Sequence, residues 1–223
     1  MCRFLERHSD QSWTPVLIRK YRVLIDLVTG DNYVYGMYDD GEIVRWNARE
    51  FLGREPIIPV QFSSHRLEIE ISGVVTRRPS RYLIQSGSDF LMVIRDREVA
   101  IKSNYYSFNY NIVYQTNIFK IYKLDPKDKI WEETKDVGSV ALFVGCNYSM
   151  SVSVSEFKCL RPNCIYFTDD EDNFWDKMTD FGGHDMGVYD IKSGEICRFY
   201  EGDDTRSSFC PPIGLFLTLE NNG

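Results

Sequence analysis

Residues 119–170 read FKIYKLDPKDKIWEETKDVGSVALFVGCNYSMSVSVSEFKCLRPNCIYFTDD, and this stretch decides the fold. Its short apolar or alternating runs are separated by turn residues, with no helical periodicity between them. It contains a hairpin at Phe119–Glu133 and strand patterns at Val140–Gly145, Ser149–Ser155 and Asn163–Asp170. Four successive strands in about fifty residues match the size of one propeller blade. The stretch therefore predicts an all-β fold.

Outward from this stretch, four hairpins share one design. Each has an apolar strand, a turn with Gly or Pro beside a polar residue, and a return strand, and the turns centre near residues 40, 87, 127 and 193. Three return strands carry an aromatic residue: Trp46, Trp131 and Phe199. A repeat of about 40–50 residues is typical of propeller blades. We therefore predict a partial β-propeller built from four-stranded antiparallel blades. An open meander or a sandwich is the alternative that the same alternation allows.

The chain is expected to form one domain with short flanks. Residues 1–20 are predicted to be poorly ordered or to hold a partial strand. Residues 21–219 form the propeller, with about four blades and an incomplete ring, and residues 220–223 are a tail. Within the propeller, Asn104–Asn117 is rich in Tyr and Asn and is interpreted as an inserted loop.

Charge and composition narrow the classes of partner. The formal net charge is −7, and residues 111–223 hold 11 Lys or Arg against 19 Asp or Glu. An acidic half repels phosphate backbones, so nucleic acid is not expected as a partner. The first residues are too charged for a secretory signal, and the longest apolar run, Val140–Val144, is too short to cross a bilayer. We expect a cytoplasmic or nuclear protein that does not bind membranes.

The candidate functional residues lie in the acidic stretch after residue 170. His184-Asp185 could act as a general base, and Asp169–Asp172 with Asp176 could bind calcium. No nucleophile motif accompanies the first pair and the second lacks the EF-hand glycine and closing glutamate, so a turn and a solvated loop are favoured. The six cysteines complete no zinc site, and no cofactor, metal or catalytic residue is expected. Aromatic residues among acids suit partner contact, and the alternative is that they fold back on the blade. The contact candidates are Phe174, Trp175, Asp176, Phe181 and His184.

Several blocks resemble a known family in the order in which they occur. They are Pro79–Ser86, Phe90–Val93, Ile121–Asp125, Trp131–Glu133, Val140–Gly145, Ser151–Phe157, Cys164–Asp170 and Gly183–Asp190. The chain resembles the plant F-box-associated β-propellers often called KIB-type. The resemblance implies a non-enzymatic protein–protein interaction module, similar to the substrate-recognition propeller of F-box (SCF-type) ubiquitin-ligase adaptors.

The resemblance also raises an expectation about the adaptor. Family members commonly carry an N-terminal F-box that docks on a Skp-type adaptor, whereas strand patterns begin here by residue 21. The chain is therefore expected to lack the F-box and to be truncated, which leaves Skp binding in doubt. Two alternatives remain: a hydrolase-like enzyme on a propeller scaffold, and a degenerate product with no stable role.

Overall fold

The computed structural model describes residues 3–6, 13–16, 23–30, 32–47, 60–61, 79–103, 110–145, 148–170 and 185–199. Throughout these ranges the regular structure is β-strand, and no helix has the length and apolar character needed to span a membrane. The all-β prediction is confirmed. The strands are β1 (Arg3–Glu6), β2 (Trp13–Val16), β3 (Leu24–Thr29), β4 (Tyr33–Tyr38), β5 (Ile43–Asn47), β6 (Val60–Gln61), β7 (Ser80–Ser86), β8 (Asp89–Ser103), β9 (Tyr110–Leu124), β10 (Trp131–Thr134), β11 (Val140–Val144), β12 (Met150–Ser153), β13 (Cys164–Phe167), β14 (Gly187–Asp190) and β15 (Ile196–Arg198).

Three of the sheets have the size of blades. The first sheet is the antiparallel meander β3-β4-β5-β6, and the second is the meander β7-β8-β9-β10. The third has the order β12-β11-β13-β14-β15, while β1 and β2 pair separately. Two sheets thus match the expected four-stranded antiparallel blade. The third differs, since it has five strands and its β11 and β13 run parallel.

The parallel pair arises because β12 folds back on one edge of β11 and leaves the other edge for β13. Parallel neighbours need a longer connection than a hairpin. Residues 154–163 supply it through successive tight turns, in which Glu156 N–H donates to Ser153 O and Leu160 N–H donates to Phe157 O.

The stretch 119–170 is not one blade, which corrects the sequence interpretation. Its first hairpin closes the second sheet through β9 and β10, and its later strands open the third sheet. The hairpin turns near residues 87 and 127 likewise belong to the same sheet. The crossing between sheets passes Gly138, whose φ is 77°. Gly and Asp occur both in the turns of hairpins and in the connections between sheets. The residue types alone therefore cannot show whether a turn joins two strands of one sheet or leads into the next sheet.

The four predicted hairpin turns are confirmed. Their positive-φ residues are Gly41 at 86°, Gly87 at 59°, Lys129 at 57° and Gly194 at 75°. Three of these are glycines because an L side chain is strained in that region.

The predicted loop over Asn104–Asn117 is wrong for most of its length. Strand β9 begins at Tyr110 and pairs with β8 along both strands, with a register shift between Asp96 and Arg97. In β9, Tyr114 and Thr116 are buried while Gln115 and Asn117 are exposed. Buried and exposed residues alternate here as in any strand. The buried residues carry hydroxyl groups instead of being purely apolar, so the alternation of hydrophobic and polar residues that marks a strand in the sequence is absent.

Two cores lie between the three sheets. The core between the first and second sheets contains Val28, Met37, Ile43, Leu83, Phe90, Met92, Ile94, Leu124 and Trp131. The core between the second and third sheets contains Tyr82, Ile84, Leu91, Val93, Phe119, Ile121, Leu142, Val144, Ile165, Phe167, Tyr189 and Ile191. The second sheet is therefore the middle layer, with both faces covered.

The edge strands β3, β7 and β12 of the three sheets lie side by side. Hydrogen bonds join neighbouring strands of this set: Asp26 Oδ2 accepts from Leu83 N–H at 2.7 Å, and Ser151 Oγ donates to Gln85 O at 3.2 Å. Blades of a propeller meet in this way at their inner strands, around the central axis. The innermost strands here are thus β3, β7 and β12.

The turn between β14 and β15 predicts a pH dependence. Asp190 Oδ1 accepts from the backbone N–H groups of Lys192 and Ser193, each at 3.0 Å. These bonds, chiefly that of Ser193, lower the pKa of Asp190 below its ordinary value. Since a free Asp titrates near about 3.9, the stabilisation is complete above that pH and is lost as pH falls through the lowered pKa.

We expect the difference in unfolding free energy between wild type and Asp190→Asn to shrink as pH falls from 5 to 2. Urea unfolding across that range measures it. A difference that stays constant with pH would contradict this assignment.

Candidate functional site

A buried arginine network lies between the second and third sheets. Arg95, in β8, is fully buried. Its Nε donates to Thr116 Oγ1 at 2.7 Å, and its Nη1 donates to Thr168 O at 2.7 Å and to Asp170 Oδ1 at 2.9 Å. Its Nη2 donates to Asp185 O at 2.9 Å and Oδ2 at 3.0 Å. All five N–H donors of the guanidinium are therefore used.

Asp185 is held from several directions. Its Oδ1 accepts from Thr116 N–H at 3.0 Å, and its Oδ2 accepts from Thr116 Oγ1 at 2.7 Å. Arg198, in β15, places Nη1 at 3.3 Å from Asp185 Oδ1 and donates from Nη2 to Thr116 O at 2.6 Å. The Asp185 carboxylate thus joins β9 to β15 as well as to β8.

Asp170 and Asp169 complete the network. Asp170 accepts from the Tyr82 hydroxyl and pairs with Arg97, whose Nη1 also donates to Ser80 Oγ at 2.9 Å. Asp169 is buried and accepts from the Tyr114 hydroxyl at 2.9 Å. We call the set Arg95, Arg97, Thr116, Asp170, Asp185 and Arg198 the arginine clamp.

Burial and charge oppose each other at Arg95. Burial alone lowers the pKa of its guanidinium, but interactions with Tyr82 and Asp185 outweigh burial and raise the pKa above its ordinary value. The guanidinium carbon also lies 4.8 Å from the centre of the Phe167 ring and 5.7 Å from that of Phe119, within cation–π range. The charge is therefore compensated by carboxylates at its donors and by aromatic rings beside its plane.

The clamp fastens both ends of one segment. Asp169 and Asp170 immediately precede residues 171–184, and Asp185 immediately follows them. Because Arg95 bonds to Asp170 and Asp185 together, the two ends are held at one point of the second sheet. Loop closure costs conformational entropy that grows with loop length, and here the buried ion pairs offset that cost. The clamp therefore fixes the positions of the two residues that flank this segment, Asp170 and Asp185.

The predicted contact residues Phe174, Trp175, Asp176, Phe181 and His184 all belong to this segment and lie outside the described residues. Of the acids named beside them, the structure places Asp169, Asp170 and Asp185 together. Arg95, Thr116 and Arg198 are not among the residues predicted from the sequence. A usable signal existed for Arg95, since it directly follows the apolar run Phe90–Ile94 in a strand buried on both faces.

Of the carboxylates considered for calcium binding or general-base chemistry, the structure describes Asp169, Asp170 and Asp185, and all three are engaged in the network. Asp169 is buried, so the solvated-loop interpretation is wrong for this residue. Asp185 accepts hydrogen bonds from Arg95 and Thr116, and Asp169 accepts one from Tyr114. Within the parts of the chain that the structure describes, no group of three His, Cys, Asp or Glu side chains could hold a metal ion. The chemistry of the clamp is that of a structural anchor.

Comparison with known proteins agrees with this architecture. A family model described as KIB1-4 beta-propeller matches residues 1–190. F-box protein At2g17036 of Arabidopsis thaliana is 24% identical over 92% of this chain and 48% of its own length. F-box protein At2g17690 of the same plant is 41% identical over 39% of this chain and 18% of its own length.

A third Arabidopsis thaliana relative, putative F-box protein At3g25750, is 29% identical over 44% of this chain and 22% of its own length. The match thus spans about half the length of the first relative and a smaller share of the other two. No solved structure matches. Since the family model covers most of the chain, and since three blade-like sheets meet at inner strands, the protein belongs to the KIB1-4 β-propeller family.

Proposed function

We propose that the protein is a non-enzymatic protein–protein interaction module, and that residues 171–184 contact its partner. The observation that carries the proposal is the arginine clamp, in which one buried guanidinium holds both ends of this segment. A segment with fixed ends loses less entropy on binding than a free one.

The composition of the segment indicates the kind of partner. Residues 171–184 contain four acidic residues and one lysine, together with Phe174, Trp175 and Phe181. Large aromatics dominate the binding energy of many interfaces, and surrounding charges favour partners of opposite sign. The partner surface is therefore a basic one with an apolar centre.

The relatives extend the proposal to ubiquitin ligases. The three relatives named above are F-box proteins or a putative one. We propose that this chain serves as the substrate-recognition part of such an adaptor. Mixing the 223-residue chain with a purified Skp-type adaptor tests whether these residues contain a working F-box. No binding is expected, and binding would contradict the expectation that these residues lack an F-box.

The double substitution Phe174→Ala and Trp175→Ala tests the contact segment. We expect plant proteins that the wild-type chain retains to fall at least about tenfold in quantitative affinity capture, because the aromatic anchors are gone. Phe199→Ala is the matched control, since Phe199 is an exposed aromatic outside the segment. Equal retention by wild type and the double variant would overturn the proposal.

A further inference from the structure

A basic motif leads directly into the arginine clamp. Its residues are Arg77-Arg78-Pro79-Ser80, and Ser80 is the first residue of β7. Serine kinases with acidic pockets select a serine that has arginines two and three positions before it, and we call them arginine-directed kinases. In the whole sequence, Ser80 is the only serine or threonine with arginine at both of these positions. The motif therefore predicts one target hydroxyl for such a kinase.

The structure places the Ser80 hydroxyl at the edge of the clamp, which is a second and independent observation. Ser80 is half-buried and forms the terminal pair of the β7–β8 hairpin, opposite Arg95. Its Oγ accepts a hydrogen bond from Arg97 Nη1 at 2.9 Å. Because the pair is terminal, only the end of the hairpin has to open for Ser80 to enter the active site of a kinase. A phosphate on Ser80 then lies beside Arg97.

Arg97 has the donors that a phosphate needs. Its side chain is 9% exposed, and its Nη2 pairs with Asp170. Its Nε is buried, lies 3.6 Å from Asp185 Oδ2 and makes no hydrogen bond in the described structure. A phosphoserine carries a charge of about −1.5 to −2 at pH 7 and three strong acceptor oxygens. It therefore competes with the single charge of Asp170 for the Arg97 guanidinium.

The added charge also acts on the neighbouring carboxylate. A phosphate on Ser80 and the carboxylate of Asp170 share one guanidinium, and like charges at such a short distance repel each other. Asp170 keeps its hydrogen bonds to Arg95 and Tyr82 but loses Arg97. The clamp is thus weakened at Asp170, the residue that precedes residues 171–184.

We propose that Ser80 is a phosphorylation site for an arginine-directed serine kinase, and that phosphate on Ser80 loosens the arginine clamp. In the reaction Ser80 Oγ forms a bond to the γ-phosphorus of ATP, the bond from that phosphorus to its bridging oxygen breaks, and ADP leaves. The hydroxyl proton passes to the catalytic carboxylate of the kinase. An effect of the phosphate on partner binding rests on the proposed function, whereas the loosening of the clamp does not.

The first test mixes the folded 223-residue chain with ATP and a purified arginine-directed serine kinase, and phosphopeptide mass spectrometry locates the phosphate. Phosphate is expected on Ser80. Replacing Arg77 and Arg78 together with alanine should slow its incorporation at least about tenfold, because the kinase loses the side chains that it selects. The matched control is Lys127→Ala with Lys158→Ala, at two exposed cations, and should change the rate less than twofold. No phosphate on Ser80, or equal rates for both double variants, would overturn the proposal.

The second test installs phosphoserine at position 80 during synthesis, so that it does not depend on a kinase. The ¹⁵N signal of Arg97 Nε should shift. Amide exchange at Thr116, whose N–H donates to Asp185 in the clamp, should become at least about fivefold faster. Phosphoserine at position 86, which is half-buried at the other end of β7, is the control and should change this exchange less than twofold. If the chain with phosphoserine at position 80 does not fold, Ser80→Asp adds a smaller charge at the same place.

Arg97→Gln separates the route through Arg97 from a general effect of charge. In this background, phosphoserine at position 80 should change exchange at Thr116 less than twofold, because the guanidinium for which it competes is gone. Equal effects of phosphoserine at positions 80 and 86, or an undiminished effect in the Arg97→Gln background, would show that phosphate does not act on the clamp. These measurements contain no partner, so a failure of the proposed function leaves their expected results unchanged.

Discussion

Replacing Arg95 with methionine is expected to lower the free energy of unfolding by about 3–5 kcal/mol, measured by guanidinium chloride denaturation. The substitution removes the guanidinium but leaves the carboxylates of Asp170 and Asp185 between the sheets. Arg97 still pairs with Asp170 and Arg198 with Asp185, but the Asp185 side chain is fully buried and that of Asp170 nearly so, so both carboxylates lose their hydrogen bonds to Arg95 without regaining water. Since the total free energy of unfolding of a protein is about 5–15 kcal/mol, this loss is a large share of it.

Two further substitutions at arginine separate the clamp from a general loss of charge. Arg161→Met makes the same chemical change at an exposed site and should cost less than about 0.5 kcal/mol. Arg95→Lys keeps the charge but cannot make all five hydrogen bonds, so its cost should lie between the two. If Arg95→Met proves too unstable to purify, Arg95→Lys should speed amide exchange at Thr116, whose N–H donates to Asp185. A cost for Arg95→Met no larger than that for Arg161→Met would refute the clamp.

Local turn chemistry was predictable from the sequence, but the assignment of strands to sheets was not. Gly41, Gly87 and Gly194 mark hairpins because the turn itself requires positive φ, and the structure shows it at all three. By contrast, the crossing at Gly138 has the same residue types as a hairpin but joins two sheets. Strand pairing depends on packing between residues that are far apart in the sequence. A local pattern of apolar and turn residues therefore does not predict it.

The candidate site shows the same division. The sequence singled out Asp169 and Asp170 as part of an acidic cluster and Asp185 as the neighbour of His184, but neither pattern reveals the counter-charges of these acids. Arg95 lies far away in the chain and reaches these acids only because the second and third sheets pack face to face. The polar inward positions of β9, Tyr114 and Thr116, concealed the strand that supports the clamp. Polar residues that form a buried network thus interrupt the hydrophobic alternation by which a strand is recognised in the sequence.

Replacing Trp131 with alanine is expected to cost about 3–5 kcal/mol of stability, because a large buried side chain is deleted between two sheets. Trp131 is 5% exposed and packs in the core between the first and second sheets. Its Nε1 also donates to Gly41 O at 3.0 Å, which ties the outer strand β10 to the β4–β5 turn. Urea denaturation measures the loss, and Phe199→Ala, at an exposed aromatic, should cost less than about 1 kcal/mol.

A pair of tryptophan-to-phenylalanine substitutions separates packing from the hydrogen bond. Trp131→Phe leaves Gly41 O without its indole donor, whereas the buried Nε1 of Trp46 has no hydrogen-bond partner in the described structure. Both changes remove a similar apolar volume, so Trp131→Phe should be the more costly by about 1 kcal/mol. If the two costs are equal, the Gly41 bond contributes nothing and the first and second sheets are held together at this point by apolar packing alone.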